Sequence, residues 1–338
     1  MIFYIVFSGI LFALSILLTG VVLRWLRHRA ILDAPNARSN HDTPTPRGGG
    51  IAVAAAIAIA WIALQWLRPD LAVGLDPAMM LGALGLCLLS WLDDLRPLGA
   101  GLRLPAHLVA CAIGVWALPD NGLVFQGLLP AWADAVLVVL IWAGFLNFYN
   151  FMDGIDGITG VETIGVAGGM VLIASVVSMD PASESLPMAA PLAIAVVAAG
   201  FLVWNWPPAK LFMGDVGSVP LGYCLGWFLL FLAVKGYWAA AVILPAYYLA
   251  DAGLTLVIRA ARGEKVWLAH KEHFYQQAVA SRMNSGLSRR HAHCRISAVI
   301  ACLNAVLVAC AFLSLSHAIE ALVVSVAAVG GVLWWMKR

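Results

Sequence analysis

This sequence predicts an all-α, polytopic membrane protein of about eleven transmembrane helices, and three observations predict it. Of its 338 residues 62% are hydrophobic and only 11% charged, a balance outside that of soluble domains. Apolar stretches of the roughly 20 residues that a bilayer crossing needs recur along the whole chain. Lysine and arginine fall almost entirely in alternate loops.

The first span begins near Ile2. Its basic residues Arg24, Arg27 and Arg29 follow it, and no small-residue cleavage pattern is evident, so it reads as a retained helix and not as a secretory signal. Later spans begin near Ile51, Ala78, Leu104, Trp132, Thr159, Met188, Gly217, Tyr237, Ile296 and Ala321. With the amino terminus outside, eighteen of the twenty Lys and Arg residues lie inside and only Arg68 and Lys235 outside, which puts the carboxyl terminus in the cytoplasm. One missed helix would invert every later loop. The external loops are too short to fold alone. The inner segments, 24–50, 93–103, 147–158, 205–218 and 259–295, are longer and richer in Gly, Pro, Asn, Asp and His. No repeat of 20–50 residues is evident, so residues 1–338 form a single membrane domain. The six cysteines contain no CxxC pair and read as apolar packing residues.

Ionisable groups survive near a bilayer when they face a partner or a wet cavity, because lipid burial costs about 3 kcal/mol or more. Here they gather at the inner ends of spans. Asp93 and Asp94 close the third span; two like charges held together raise the proton affinity of one of them, and both sit at a helix carboxyl end, which disfavours anions. In NFYNFMDGIDG, helical rise places Asn147, Asn150 and Asp153 on a drifting stripe of one face, while Gly154 and Gly157 end the helix and carry Asp156 into a turn. Asp215 lies in LFMGDVGS, where Ser218 is placed to cap the next helix and the cap leaves the aspartate unexplained. Oxygen ligands from separate loops favour magnesium, with manganese as an alternative, over zinc. Arg47 and Lys210 supplement it as cationic groups. Pro46 to Gly50 lets the backbone pack closely either on a phosphate or between neighbouring helices; it is not a P-loop. His270 and His273 are three residues apart with no third zinc ligand nearby, so phosphate contact by partly protonated imidazoles is the functional reading. Asp251, inside the ninth span, reads equally as a cavity group or an interhelical hydrogen bond.

Five segments in order on successive inner loops, TPTPRGGG, WLDD, NFYNFMDGIDG, LFMGDVGS and HKEHFYQ, resemble the polyprenyl-phosphate N-acetylhexosaminyl-1-phosphate transferases over nearly the whole chain. The resemblance implies transfer of N-acetylhexosamine-1-phosphate from a UDP-sugar to undecaprenyl phosphate, with release of UMP, magnesium as cofactor, and a multi-pass protein of the bacterial inner membrane whose amino terminus is periplasmic. It implies that Asp215 binds magnesium and that Asp93 and Asp94 handle metal or deprotonate the lipid phosphate. Asn150, Asp153, Gly154 and Asp156 match the nucleotide-sugar loop, Phe212 an aromatic position near uracil, and His270 and His273 the histidine motif. Three consecutive histidines and a lysine before TPTPRGGG, features of the muramoyl-pentapeptide branch, are absent. The resemblance therefore points to the branch that starts O-antigen or related surface polysaccharides, with a GlcNAc, FucNAc or QuiNAc sugar.

The implied partners are undecaprenyl phosphate, a UDP-N-acetylhexosamine and membrane lipids, with no nucleic acid; a homodimer is left open. Direct attack of the lipid phosphate on the sugar-linked phosphate is favoured over a covalent aspartyl intermediate. Two other classes are weighed. A secondary transporter usually keeps its site near the midplane on broken helices, whereas these carboxylates cluster at one face. A noncatalytic scaffold leaves the recurring polar positions without a cause.

Overall fold

The computed structural model describes residues 2–33, 44–119, 123–179, 185–266 and 270–338. Arg38 and Thr43, which entered the orientation and motif arguments, lie outside them. The chain is helical almost throughout: α1 Ile2–His28, α2 Gly50–Leu67, α3 Pro77–Leu95, α4 Ala100–Trp116, α5 Ala131–Phe151, α6 Ile158–Val177, α7 Ala189–Asn205, α8 Asp215–Val234, α9 Trp238–Ile243, α10 Ala246–Ala261, α11 Phe274–Asn284, α12 Arg289–Leu313 and α13 Ala318–Lys337. Among the described residues eight helices, α1, α2, α3, α5, α6, α8, α12 and α13, are long and apolar enough to cross a membrane. α4 and α7 are apolar but have 17 residues each, about 25 Å at 1.5 Å per residue. The ninth expected span is broken. Pro245 has no N–H to continue the ladder, and the chain divides there into α9 and α10. The all-α expectation overlooks one small pairing, antiparallel strands β1 (Leu32–Asp33) and β2 (Thr45–Pro46), with Leu32 opposite Pro46.

α8 is the axis of the bundle. Its apolar window is entirely buried, and it packs on α2, α3, α5, α6 and α9. In lipid, helices associate through close packing of small residues and interhelical hydrogen bonds, and both are present. Gly50 at the start of α2 lies against the Gly217 backbone of α8 so closely that a Cβ has no room. The Trp142 ring of α5 stacks on Tyr223 of α8 at a centroid distance of 4.5 Å, and its indole N–H donates to the Tyr223 carbonyl at 3.0 Å. Asn304 of α12 donates to the buried Glu162 of α6 at 2.9 Å.

The helix ends sort into two groups. The segments before α2 and after α3, the starts of α4 and α8 and the end of α5 are joined by the polar contacts given below. At the opposite end, Asp76 accepts from Ala78 N at the start of α3, Trp227 of α8 donates to Gly74 O, and buried Asp134 at the start of α5 accepts from Val124 N and Phe125 N.

Candidate active site at one end of the bundle

Asp94 is the keystone of the polar end. Its side chain is 1% exposed, and its oxygens accept from the backbone N–H groups of Asp215 (3.1 Å) and Val216 (2.9 Å), the first two residues of α8. The carboxyl end of α3 disfavours an anion, but the amino end of α8 offers unsatisfied N–H donors and a positive dipole. The second helix therefore resolves the mismatch raised by the first. Ser218 was expected to cap α8 and does not; it lies inside the helix, donating to Asn150 Oδ1 at 2.6 Å and to Gly214 O at 3.2 Å. The cap comes from another helix, more than a hundred residues away in sequence.

Arg47 joins the two carboxylates, with Nη2 at 2.9 Å from Asp94 Oδ1 and 2.7 Å from Asp215 Oδ1. The glycines after it pack on backbone: Gly48 N and Gly49 N donate to Phe212 O, Gly50 N donates to Met213 O, and Phe212 N returns a bond to Pro46 O. Of the two readings of Pro46 to Gly50, the helix-packing one describes these contacts. Phe212 is half-buried and held by the same bridge.

Asp93 accepts from Leu98 N at 2.5 Å and from Arg103 Nη1 at 2.7 Å, while the same Arg103 nitrogen lies 3.4 Å from Asp215 Oδ2. Asn150 Nδ2 reaches Asp215 Oδ2 at 3.4 Å. Beside them opens a cavity of about 410 Å³. Asp93, Arg103, Asn147, Asn150 and Asp215 form its polar rim, and Leu89, Leu104, Leu108, Leu140 and Leu256 its apolar wall.

The expected stripe of Asn and Asp residues is shorter than helical spacing suggested. α5 ends at Phe151, so only Asn147 and Asn150 share its face, and Asp153 and Asp156 belong to the following loop. Asp153 accepts from Thr159 at 2.6 Å, and burial pushes its carboxyl up to about 6, despite the opposing hydrogen bond. Asp156 sits outside the carboxylate cluster and ties elements together. It accepts from Ala209 N at 3.0 Å, approaches His293 Nδ1 of α12 at 3.4 Å, and its carbonyl accepts from Ser297. Gly154 lies under the Tyr275 hydroxyl. Lys210 is also apart: it is exposed and its Nζ stands 5.4 Å from the Trp204 ring centroid.

The histidines form a second group. Asp251, fully buried in α10, accepts from Phe274 N at 2.9 Å and Tyr275 N at 3.1 Å and lies 3.3 Å from His273 Nδ1. It thus anchors the amino end of α11 to α10, the interhelical reading. His270 and His273 precede α11 instead of riding on it, with ring centroids 4.8 Å apart. Burial, aided by His273 and Arg259, pushes His270 down to about 4, so it is neutral at pH 7 and the expected partly protonated imidazole is corrected to a neutral one. Among the described residues His270 makes no hydrogen bond or ion pair to Asp93, Asp94 or Asp215.

Sequence reasoning passed over Arg103 and His107 as site groups. A cation in the first turn of α4 opposes the helix dipole, a signal that could have marked Arg103. His107, alone on an apolar face, carries no such signal.

Among the described residues no group of three or more His, Cys, Asp and Glu side chains forms a ready metal cage. The donors that meet at the cavity rim, Asp93, Asp215 and Asn150, are nonetheless all oxygen-bearing and two are anionic, the chemistry that suits a hard divalent cation. They fit magnesium better than zinc.

The glycosyl transferase family 4 model matches residues 77–233, from the start of α3 nearly to the end of α8, which span the carboxylate cluster. A probable undecaprenyl-phosphate N-acetylglucosaminyl 1-phosphate transferase of Bacillus subtilis (strain 168) is 28% identical over 287 residues, covering 81% of this chain and 76% of that protein. An undecaprenyl-phosphate alpha-N-acetylglucosaminyl 1-phosphate transferase of Thermotoga maritima is 27% identical over 209 residues, with 62% of this chain covered; the match spans 60% of that relative's length. A phospho-N-acetylmuramoyl-pentapeptide-transferase of Mycobacterium sp. (strain JLS) is 30% identical over 264 residues, covering 63% of this chain and 72% of its own. On that identity and coverage, and with the family model lying over the helices that build the cluster, the chain belongs to glycosyl transferase family 4, the polyprenyl-phosphate N-acetylhexosaminyl-1-phosphate transferases.

Proposed function

We propose that this protein transfers N-acetylhexosamine-1-phosphate from a UDP-sugar of the GlcNAc, FucNAc or QuiNAc type to undecaprenyl phosphate, releasing UMP and starting O-antigen or a related surface polysaccharide. The observation that carries the reading is the cavity with a charged rim and an apolar wall, suited to a phosphate head on a hydrocarbon tail. Arg103 at the rim binds the acceptor phosphate. The loop from Asn150 to Asp156, with Phe212, takes the nucleotide sugar, and His270 supplies a neutral N–H to a phosphate oxygen.

Asp93 and Asp215 would hold magnesium, whose charge offsets the repulsion between two anionic phosphates. The residues of the chain do the rest. Asp94 spends its oxygens on α8 and Arg47, fixing Asp215 at the rim, and Arg47 balances the buried negative charge. Positioning of the two phosphates supplies most of the rate. We place the site on the cytoplasmic face of the inner membrane, in an eleven-crossing topology with a periplasmic amino terminus; the polar cluster and seventeen of the twenty basic residues belong to described inner segments of that topology.

Purified protein with magnesium, undecaprenyl phosphate and a panel of UDP-N-acetylhexosamines should release UMP with one sugar preferred, and a chelator should stop it. No UMP with any sugar would reject the reading.

A further inference from the structure

His107 lies on α4, one turn beyond Arg103 and so about 6 Å further into the bundle. It lines the same cavity and is 4% exposed. Its ring interacts with the Asn147 side chain of α5, and Nδ1 has no hydrogen-bond partner. Asn147 donates one amide N–H to Ala143 O at 2.6 Å, and its Oδ1 is available to accept from the ring. A bond from the imidazole Nε2–H to Asn147 Oδ1 is one arrangement this pairing allows. In that tautomer Nδ1 is an unprotonated acceptor, buried beside the cavity without a partner. A buried polar atom without a partner is uncommon and points to a missing ligand group.

We propose that His107 Nδ1 is the proton acceptor for the polyprenyl phosphate. This rests on the transferase reading above and deepens it. The ring lines the cavity together with Leu104, Leu108 and Leu140, one helical turn from Arg103, a setting that suits the junction of a hydrocarbon tail and its phosphate. A phosphate monoester carries one proton near neutral pH, with a second pKa of about 6, and its P–OH is the one hydrogen-bond donor such a lipid offers. Asp93 is paired with Arg103 and Leu98 N, and Asp94 with α8 and Arg47, whereas the imidazole Nδ1 has no partner. As the reaction proceeds, the P–OH proton passes to Nδ1. The freed oxygen attacks the sugar-bearing phosphorus of the UDP-sugar, the bond from that phosphorus to the UMP oxygen breaks, and UMP leaves with the electron pair. The imidazolium then gives its proton to water at the cavity mouth. The charged groups facing the ring are Arg103 on its own helix, Asp93 of α3 and Asp215 of α8 at the rim; α5 and α10 contribute none to the cavity.

His107→Gln separates proton transfer from contact, since a glutamine can donate to Asn147 and accept from P–OH but does not take the proton. With undecaprenyl phosphate and the UDP-sugar that the wild type turns over, H107Q should keep the KM for the lipid. Its kcat should fall about 10²-fold or more, the range a positioned proton acceptor contributes. The acid limb of kcat/KM for undecaprenyl phosphate should vanish, because in the wild type activity is lost as falling pH protonates Nδ1. His107→Leu should in addition raise KM for the lipid and not for the UDP-sugar. An H107Q enzyme with unchanged kcat, or with the acid limb intact, overturns the proposal while leaving the transferase reading in place. A wild type that releases no UMP from any UDP-sugar sinks both. Should H107L fail to fold, H107Q alone decides.

Discussion

At Gly214 the backbone has φ of 75°, and a Cβ would come within 2.6 Å of Asp94 Oδ2. Gly214→Ala should therefore cost about 1–3 kcal/mol of strain and, by displacing the carboxylate that fixes α8, abolish UMP release; thermal unfolding and turnover of the same preparation check both. Asp153 gives a pH test. Its carboxyl binds a proton more tightly folded than unfolded, so it costs nothing below about pH 4 and most above about pH 6, at most about 3 kcal/mol. Asp153→Asn should then raise the unfolding temperature without substrate at about pH 8 and leave it unchanged at about pH 4; equal shifts at both would refute the assigned burial. Residues of this kind were partly legible. Asp93, Asp94, Asn150 and Asp215 announce themselves because charge and amide are scarce in an apolar chain. Lys210 looked equivalent to Arg47 by charge alone, yet its loop turns it onto Trp204, and one-dimensional spacing carries no such information.

For the elements, apolar length identified the long helices, and Pro245 accounts for the division of the ninth expected span. What the pattern could not supply was the source of the caps. The amino end of α8 is satisfied by α3, and that of α11 by Asp251 of α10, since an unsatisfied N–H accepts any nearby oxygen whatever its place in sequence. This makes the α10–α11 junction testable. Asp251→Ala removes the acceptor of two backbone donors and a partner of His273, at about 1–3 kcal/mol for each donor left bare. Hydrogen exchange should speed up at Phe274 and Tyr275 and along α11, with little change in α8. Uniform acceleration through the bundle would instead mark Asp251 as a general determinant of stability.

For the whole molecule, the proposed sidedness rests on the charge asymmetry of the loops. In a cysteine-free background, Glu264→Cys in right-side-out cells should resist an impermeant thiol reagent until the membrane is opened, and Lys235→Cys should react at once. The reverse pattern would invert the topology. At this scale the sequence offers parity as an expectation, because every basic loop votes on it; the helix neighbours are not legible, since lipid-facing and protein-facing apolar residues read alike. The bond between Asp94 and α8 also has a temporal side. Its partners are 121 positions apart, and at synthesis speeds of about 5–20 residues per second the aspartate emerges roughly 6–24 s before the helix it will hold. Through that interval Asp94 has Arg47, made before it, but lacks the two backbone donors of α8, so α3 has a reason to stay near the insertion machinery until α8 arrives. Completion of the Asp94 cluster is then timed by the synthesis of α8, with α9 to α13 still to follow.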